Sequence, residues 1–184
     1  MGSRKPKPID LKNLTHEHNR VVGLLAKESD RSAAIVGGAF LDDLLGEMLK
    51  AHFIDDKKLQ EALLLENRPL GAFSARIDIA FALGLIPRSI HTDLHRIRQI
   101  RNAFAHDREL TDFASDASMR DQCGNLSPKY QSPHVPKFEP RTQFVLTLAW
   151  LMHEIQFAEV PRLSVRQEIP VRHIPPPASE QTGG

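Results

Sequence analysis

The chain has 184 residues, of which 41% are hydrophobic and 26% charged, so it is long enough to form one domain with a buried core. Its 24 basic and 23 acidic residues give a net charge of +1, which argues against a protein that binds nucleic acid mainly through a large basic surface. The single cysteine, Cys123, excludes an intrachain disulfide bond and favours the cytoplasm.

The N-terminal part of the chain predicts a tail followed by one helix. Residues 1–10 are basic and carry no apolar stretch, so we expect a flexible tail and neither a signal peptide nor a membrane anchor. No apolar run elsewhere approaches the roughly 20 residues that span a bilayer, so we expect no membrane association. Apolar residues at helical spacing then predict a helix over residues 11–27.

The next helix is predicted to be long and central. Ser29 or Asp30 has a side-chain oxygen that can cap its first free amides, and the helical pattern continues to about Phe53. Its apolar face is broad, which favours a central position. Gly37 and Gly38 lie inside the pattern, where glycine destabilises a helix, so we expect another helix to approach closely there.

The remaining sequence predicts shorter helices, a loop and a tail. Four prolines mark residues 123–140 as a surface loop, and residues 161–184 have the Pro-rich polar composition of a disordered tail. Strand signals are weak throughout, so we predict an all-α, single-domain bundle of about six helices over residues 11–160. The further helices are expected over about 56–65, 73–84, 87–104 and 141–158, with a helical turn near 114–120.

Arg101 stands out because it falls inside an apolar stripe. It lies four residues after Ile97 and three before Phe104, so on a helix all three share one face. An arginine that points toward a core must be paired, since an unpaired buried charge is very costly. The predicted partners are Asp42, Asp43 and Glu47 on the central helix, with Asp30 and Asp78 as weaker candidates.

Asn102 and His106 lie four residues apart on a second, more polar face of the same helix. Asn102 is expected to act as a hydrogen-bonding partner. His106 suits either acid–base chemistry or the C-terminal end of a helix, where a positive charge is favoured. Arg101 and His106 are about 140° apart around an ideal helix, which argues against a simple catalytic pair within one chain.

Other polar residues have plainer interpretations. We expect either Asp42 or Asp43 to bind Arg101 or Arg31 and the other to be solvated, in preference to a metal or dicarboxylate site. Ser74 is expected to cap the helix that follows it, since the sequence supplies no base to make it a nucleophile. Arg76 is interpreted as a surface or ion-pair residue.

His91 and His95 have the i, i+4 spacing that zinc sites use, but the sequence indicates no third ligand. We therefore predict no metal and no cofactor.

The segment from Arg101 to His106 resembles the Arg-x4-His signature of the HEPN superfamily. The resemblance implies a helical domain and a dimeric, metal-independent ribonuclease whose partner would be RNA. In such an enzyme Arg101 would stabilise phosphate charge and His106 would move protons, while Asn102 would have a positioning role. One toxin branch has a Tyr two residues after the His, where this chain has Arg108.

Five further stretches form a second pattern: Glu28–Arg31, Ala39–Leu45, Pro69–Ile77, Leu83–Ile86 and Ile97–His106. Their order and spacing, over about residues 14–112, resemble the mannitol-operon repressor (MltR) family. The resemblance implies an all-helical transcription regulator that has no recognisable helix-turn-helix. The matching stretches contain Arg31, Asp42, Asp43, Ser74 and Arg76.

Two functional hypotheses follow. The first is a cytoplasmic regulatory module that modulates transcription through a protein partner and does not read DNA itself. The second, its alternative, is the ribonuclease that uses Arg101 and His106. The broad apolar face of the central helix also predicts a homodimer.

Overall fold

The computed structural model describes residues 20, 23–25, 27–110, 112–114, 117–127 and 138–157. Within these ranges it has helices and no strand, which confirms the predicted all-α class; Arg20 and residues 23–25 are helical as well. The helices with defined bounds are α1 (Asp30–His52), α2 (Lys57–Leu64), α3 (Phe73–Ala82), α4 (Arg88–His106), α5 (Ala117–Gly124) and α6 (Pro140–Phe157).

The predicted boundaries of the helices from Asp30 onward hold to within a few residues, with two differences, whereas most of the predicted helix over 11–27 lies outside the described residues. The predicted turn near 114–120 is the two-turn helix α5, which extends to Gly124 and so shortens the predicted loop over 123–140. Pro87 is the N-cap of α4 and lies just before its first turn. The predicted tails over 1–10 and 161–184 and most of the loop lie outside the described residues.

Helix α1 is central, as predicted, and packs against α3, α4 and α6. Ser29 caps its N-terminus by accepting a hydrogen bond from the backbone N–H of Ser32 at 3.2 Å. Helix α5 packs against α4 and α6. Consequently the apolar face of α1 is buried within the chain, and its innermost leucines, Leu41, Leu45 and Leu49, are all fully buried.

Three glycines of α1 allow these close approaches. A Cβ atom at Gly37 would lie 2.3 Å from the Leu148 side chain of α6, and one at Gly38 would lie 2.8 Å from Cγ of Arg101 on α4. Farther along, a Cβ at Gly46 would lie 3.4 Å from the Arg76 guanidinium of α3. The predicted close approach at Gly37 and Gly38 is therefore confirmed, and it explains why glycine stands where alanine would favour the helix.

Three phenylalanines join the C-terminal end of α4 to α6. The ring centroid of Phe113 lies 4.9 Å from that of Phe104 and 4.7 Å from that of Phe144. All three side chains are fully buried. These contacts hold residues 112–114 against the bundle and fix the chain that leaves α4.

The turn between α3 and α4 has the geometry of a Schellman motif. Gly84 has φ +71°, a left-handed conformation that glycine adopts without strain. The backbone N–H of Gly84 donates to Phe81 O, and that of Leu85 donates to Ala80 O, both at 2.9 Å. This turn brings α4 back against α3, so polar side chains of the two helices can meet.

None of the helices among the described residues is both long and apolar enough to cross a membrane.

We expect Gly38→Ala to lower the free energy of unfolding by about 1–2 kcal/mol. The new methyl group would clash with Cβ and Cγ of Arg101 near the α4 backbone, and this overpacking would outweigh the gain in helix propensity. Chemical denaturation measures the change.

Gly23→Ala is the matched control, because no atom lies within 4 Å of a Cβ at this helical position. We expect it to leave the protein unchanged or to stabilise it by up to about 1 kcal/mol. Equal effects of the two substitutions would contradict the close approach of α4 to α1.

Candidate functional site

Arg101 lies where α4 crosses α1, and it is half-buried. Its aliphatic stem packs against Gly38, and its Nη1 donates a hydrogen bond to Oδ1 of Asn102 at 2.9 Å. Its Nε is buried and has no hydrogen-bond partner among the described residues. The contact confirms that Asn102 acts as a hydrogen-bonding residue.

The predicted ion pair between Arg101 and a carboxylate of α1 is wrong, since none lies within 4 Å of its guanidinium in the described chain. Asp42 is bound by Arg76, and Glu47 is bound by Lys50 at 2.6 Å. Asp43 is exposed. Arg101 meets α1 at Gly38, about one turn before Asp42 and more than two turns before Glu47.

His106 is the last residue of α4, and its side chain is exposed. A cationic group there is favoured by the helix dipole. No hydrogen bond joins His106 to Arg101 or Asn102 within the described ranges. The structure thus brings Arg101 and Asn102 together but does not add His106 to them.

Arg31 binds backbone carbonyls at and beyond the C-terminal end of α4. Its guanidinium donates hydrogen bonds to the carbonyl oxygens of Phe104, of Asp107 at 2.8 Å and of Leu110 at 2.8 Å. The first two lie at the helix end, where carbonyls lack partners within the helix, and Leu110 lies in the segment that follows. The predicted bond between Arg31 and a carboxylate of α1 is therefore wrong, because the end of α4 already occupies its donors.

Asp30, which precedes Arg31 in the sequence, forms an ion pair with Arg141 of α6. It also accepts a hydrogen bond from the backbone N–H of Phe113 at 2.8 Å. Asp30 is therefore not a partner of Arg101.

Arg76 of α3 is held by several acceptors at once. Its Nη1 donates to Oδ1 of Asp42 at 2.8 Å, its Nε to Leu70 O at 2.9 Å and its Nη2 to Leu64 O at 2.8 Å. Its side chain is only 13% exposed, so the predicted ion-pair role is correct but the surface position is not. Burial raises the pKa of Asp42, although the charge and hydrogen bond of Arg76 oppose that shift.

Ser74 does not cap α3. The helix begins at Phe73 with Ala72 at the N-cap position and no side-chain cap, so Ser74 lies inside the first turn. No base contacts it among the described residues, and the prediction that it caps the helix is wrong by two positions.

A groove of about 850 Å³ lies between the C-terminal half of α1 and helix α2. Its lining is rich in charged side chains and includes Leu65, which is 55% exposed. We call this surface the acidic groove. It is lined by Asp43, Gly46, Glu47, Lys50, Asp55, Lys57, Gln60, Glu61, Leu64, Leu65, Glu66 and Arg76.

Two of its acidic residues have basic partners: Glu47 with Lys50, and Glu61 with Lys57 at 3.8 Å. The third cation, Arg76, is bound to Asp42. Asp43, Asp55 and Glu66 have no ion pair within the described chain. The groove therefore carries an excess of negative charge.

A second polar cluster was missed by sequence reasoning. His91 and His95 of α4 each place Nε2 2.9 Å from Oδ1 of Asp78 on α3. Asp78 was expected only as a weak partner of Arg101, which is wrong. The i, i+4 spacing of the histidines was visible in the sequence, whereas the third residue becomes visible only once α3 and α4 are packed together.

The family model described as mannitol repressor matches residues 20–157. The chain belongs to the mannitol repressor family. This confirms the resemblance seen in the sequence and a regulatory role of the kind that the family name describes. The matched range holds every predicted site residue, including Arg31, Arg76 and His106.

The X-ray structure of the MtlR–HPr complex from Escherichia coli is similar to this repressor-family chain, with a TM-score of 0.62 and 25% sequence identity. The match covers 75% of this chain and 97% of that one. Among curated proteins none is significantly similar. These findings support the regulatory hypothesis and give no support to the ribonuclease alternative.

We expect Arg76→Ala to lower the free energy of unfolding by about 3 kcal/mol, because it leaves the Asp42 carboxylate and two carbonyls without their donor. Asp42→Asn is the matched control, since an amide oxygen can still accept from Arg76; its expected cost is about 1 kcal/mol or less. Thermal or chemical denaturation measures both. An equal loss in the two variants would show that the carbonyl contacts of Arg76 contribute little.

Asp42 should also give a characteristic pH dependence. Its pKa is raised above the unfolded value of 3.8, so the folded state binds this proton more tightly, and the contribution of Asp42 to stability falls as pH rises through the folded pKa. As pH rises above the unfolded value of 3.8 and through the folded pKa, the wild type should therefore lose stability relative to Asp42→Asn. Denaturation of both proteins across this range tests the direction, and a gain by the wild type would contradict it.

Proposed function

We propose that this member of the mannitol repressor family regulates transcription by binding a partner protein and not by reading DNA itself. One observation carries the proposal: the chain is similar, over most of both chains, to a protein chain in the X-ray structure of the MtlR–HPr complex. We infer that the partner of this chain is a protein of the HPr type. The near-neutral net charge of +1 supports a protein partner over DNA, whose binding relies on phosphate neutralisation.

We place the partner contact at the acidic groove. Electrostatic complementarity steers protein association, so a surface with unpaired carboxylates favours a partner that presents basic groups. Asp43 projects from α1 and Glu66 follows α2, so they lie on the two walls of the groove. Leu65 adds an exposed apolar side chain beside these charges, and protein interfaces combine apolar and charged side chains.

The predictions of a homodimer and of a cytoplasmic location rest on the sequence. The argument for a homodimer is weaker, because α3, α4 and α6 of the same chain cover the apolar face of α1. Val36, which is 51% exposed, is the large apolar side chain that α1 still presents to solvent. Homodimerisation, the cytoplasmic location and RNA as a partner stay predictions.

Isothermal titration of the full chain with purified HPr tests the proposal. We expect saturable binding that weakens with added salt, and about fivefold weaker binding for Asp43→Lys or Glu66→Lys, because one exposed charge pair is worth up to about 1 kcal/mol.

Glu109→Lys is the matched control. It makes the same charge reversal in the exposed segment after α4, which Arg31 holds at the opposite end of α1. Asp43 lies 13 residues after Asp30, the first residue of α1, so roughly 20 Å of helix separates that end from Asp43. We expect its affinity for HPr to equal that of the wild type.

Three outcomes would overturn parts of the proposal. An absence of HPr binding would remove the HPr-type partner. An equal loss in the groove variants and in Glu109→Lys would show that only net charge matters and that the groove is not the contact. Tight, sequence-dependent binding of the purified protein to its own promoter DNA would overturn the statement that it does not read DNA.

A further inference from the structure

Asp78, His91 and His95 bring three potential metal ligands together on the surface formed by α3 and α4. We call them the His–Asp cluster. One ligand atom from each lies within 4.8 Å of the other two, and both Nε2 atoms lie 2.9 Å from the same carboxylate oxygen. The histidine side chains are 16% and 24% exposed, whereas that of Asp78 is 63% exposed. The cluster is therefore partly sheltered and open on one side.

Ring packing orients the histidines. The centroids of the His91 and His95 rings are 4.6 Å apart in an edge-to-face arrangement, and the Phe81 ring lies 4.7 Å from that of His91. The guanidinium of Arg88 covers the Phe81 ring at 4.0 Å. The aromatic neighbours and the hydrogen bonds to Asp78 together direct both Nε2 atoms to one point.

The nitrogen–oxygen spacing fits a metal with a small adjustment. Zinc binds imidazole nitrogen and carboxylate oxygen at about 2.0–2.2 Å, so two ligand atoms on a tetrahedral ion lie about 3.3 Å apart. The two nitrogen–oxygen separations of 2.9 Å would have to widen by about 0.4 Å, as hydrogen bonds are replaced by metal–ligand bonds. The exposed side chain of Asp78 has the freedom to make that movement.

We propose that Asp78, His91 and His95 form a binding site for a divalent transition-metal ion of the zinc type. Two imidazoles and one carboxylate are a donor set that zinc accepts, and three protein ligands leave a fourth position open to water or to an external ligand. Calcium and magnesium would bind poorly, because they prefer oxygen ligands alone. The site is separate from the acidic groove and does not depend on the proposed function.

Binding would also join two helices that now meet through hydrogen bonds. Asp78 lies on α3 and both histidines lie on α4, so the ion would cross-link the two helices beside the turn at Gly84. A ligand that binds only the folded state stabilises that state. Zinc should therefore raise the melting temperature of the protein as well as bind to it.

The test is titration of the full, untagged chain with zinc chloride, followed by calorimetry and by the melting temperature. To remove competing histidines, the starting protein carries His16→Ala and His18→Ala, which lie outside the described residues. We expect one equivalent of zinc to bind and the melting temperature to rise. Each of His91→Ala, His95→Ala and Asp78→Ala should weaken binding at least tenfold and abolish the rise.

His153→Ala is the control, since it removes an exposed histidine of α6 that is absent from the cluster. It should bind zinc as the starting protein does. Circular dichroism without metal shows whether each variant is folded, and a cobalt(II) absorption spectrum of four-coordinate type, lost in His95→Ala, provides a readout that does not depend on stability.

Two results would overturn the site. If the starting protein binds no zinc at about 1 mM, the cluster is only a hydrogen-bonded contact between α3 and α4. If zinc binds but the affinity of the three cluster variants equals that of His153→Ala, the ion is held elsewhere. Neither result would bear on binding of HPr at the acidic groove, so the two proposals can fail separately.

Discussion

The close approach of three neighbouring helices to the glycines of α1 is the constraint on which the rest of the structure depends. Gly37 leaves room for the Leu148 side chain of α6, and Gly38 leaves room for the aliphatic part of the Arg101 side chain of α4. Glycine within a helix costs about 1 kcal/mol relative to alanine, so these positions reduce the stability of α1 alone. The packing of α3, α4 and α6 against it offsets that cost. Because α1 is shared by all these contacts, its register sets the positions of the candidate sites.

Arginine side chains then bind helix ends and loop carbonyls that lie outside the apolar core. Arg31 satisfies carbonyls at the end of α4, and Arg76 joins α3 to α1 and to the carbonyls of Leu64 and Leu70. Arginine suits both places because its fork of N–H donors can reach several acceptors at once. Most of these acceptors are backbone carbonyls. Hydrogen bonds from Arg76 to the carbonyls of Leu64 and Leu70 hold the end of α2, which borders the acidic groove. Those from Arg31 hold the C-terminal end of α4.

The two surfaces proposed for binding differ in what they can recognise. The acidic groove is broad, charged and formed by α1 and α2, which suits a protein surface of opposite charge. The His–Asp cluster is small and directional, which suits a single ion. Arg101, Asn102 and His106 form neither kind of surface, since the first two bind each other where α4 crosses α1 and the third lies exposed at the helix end. Membership of the mannitol repressor family agrees with a molecule that acts through binding.

The sequence by itself determined the helices and the central position of α1, because helical periodicity, capping residues and glycine positions are local signals. It also indicated the family, through the resemblance of stretches such as Pro69–Ile77 and Ile97–His106. It also placed Arg101 and Asn102 on α4 correctly. The partners of the charged residues were decided only by the tertiary structure: Arg76 binds Asp42, and Arg31 binds the end of α4. The same is true of Asp78 beside His91 and His95. Such pairings depend on the angles and register at which helices pack. Because a long side chain can reach several residues on a neighbouring helix, no local sequence pattern selects one partner.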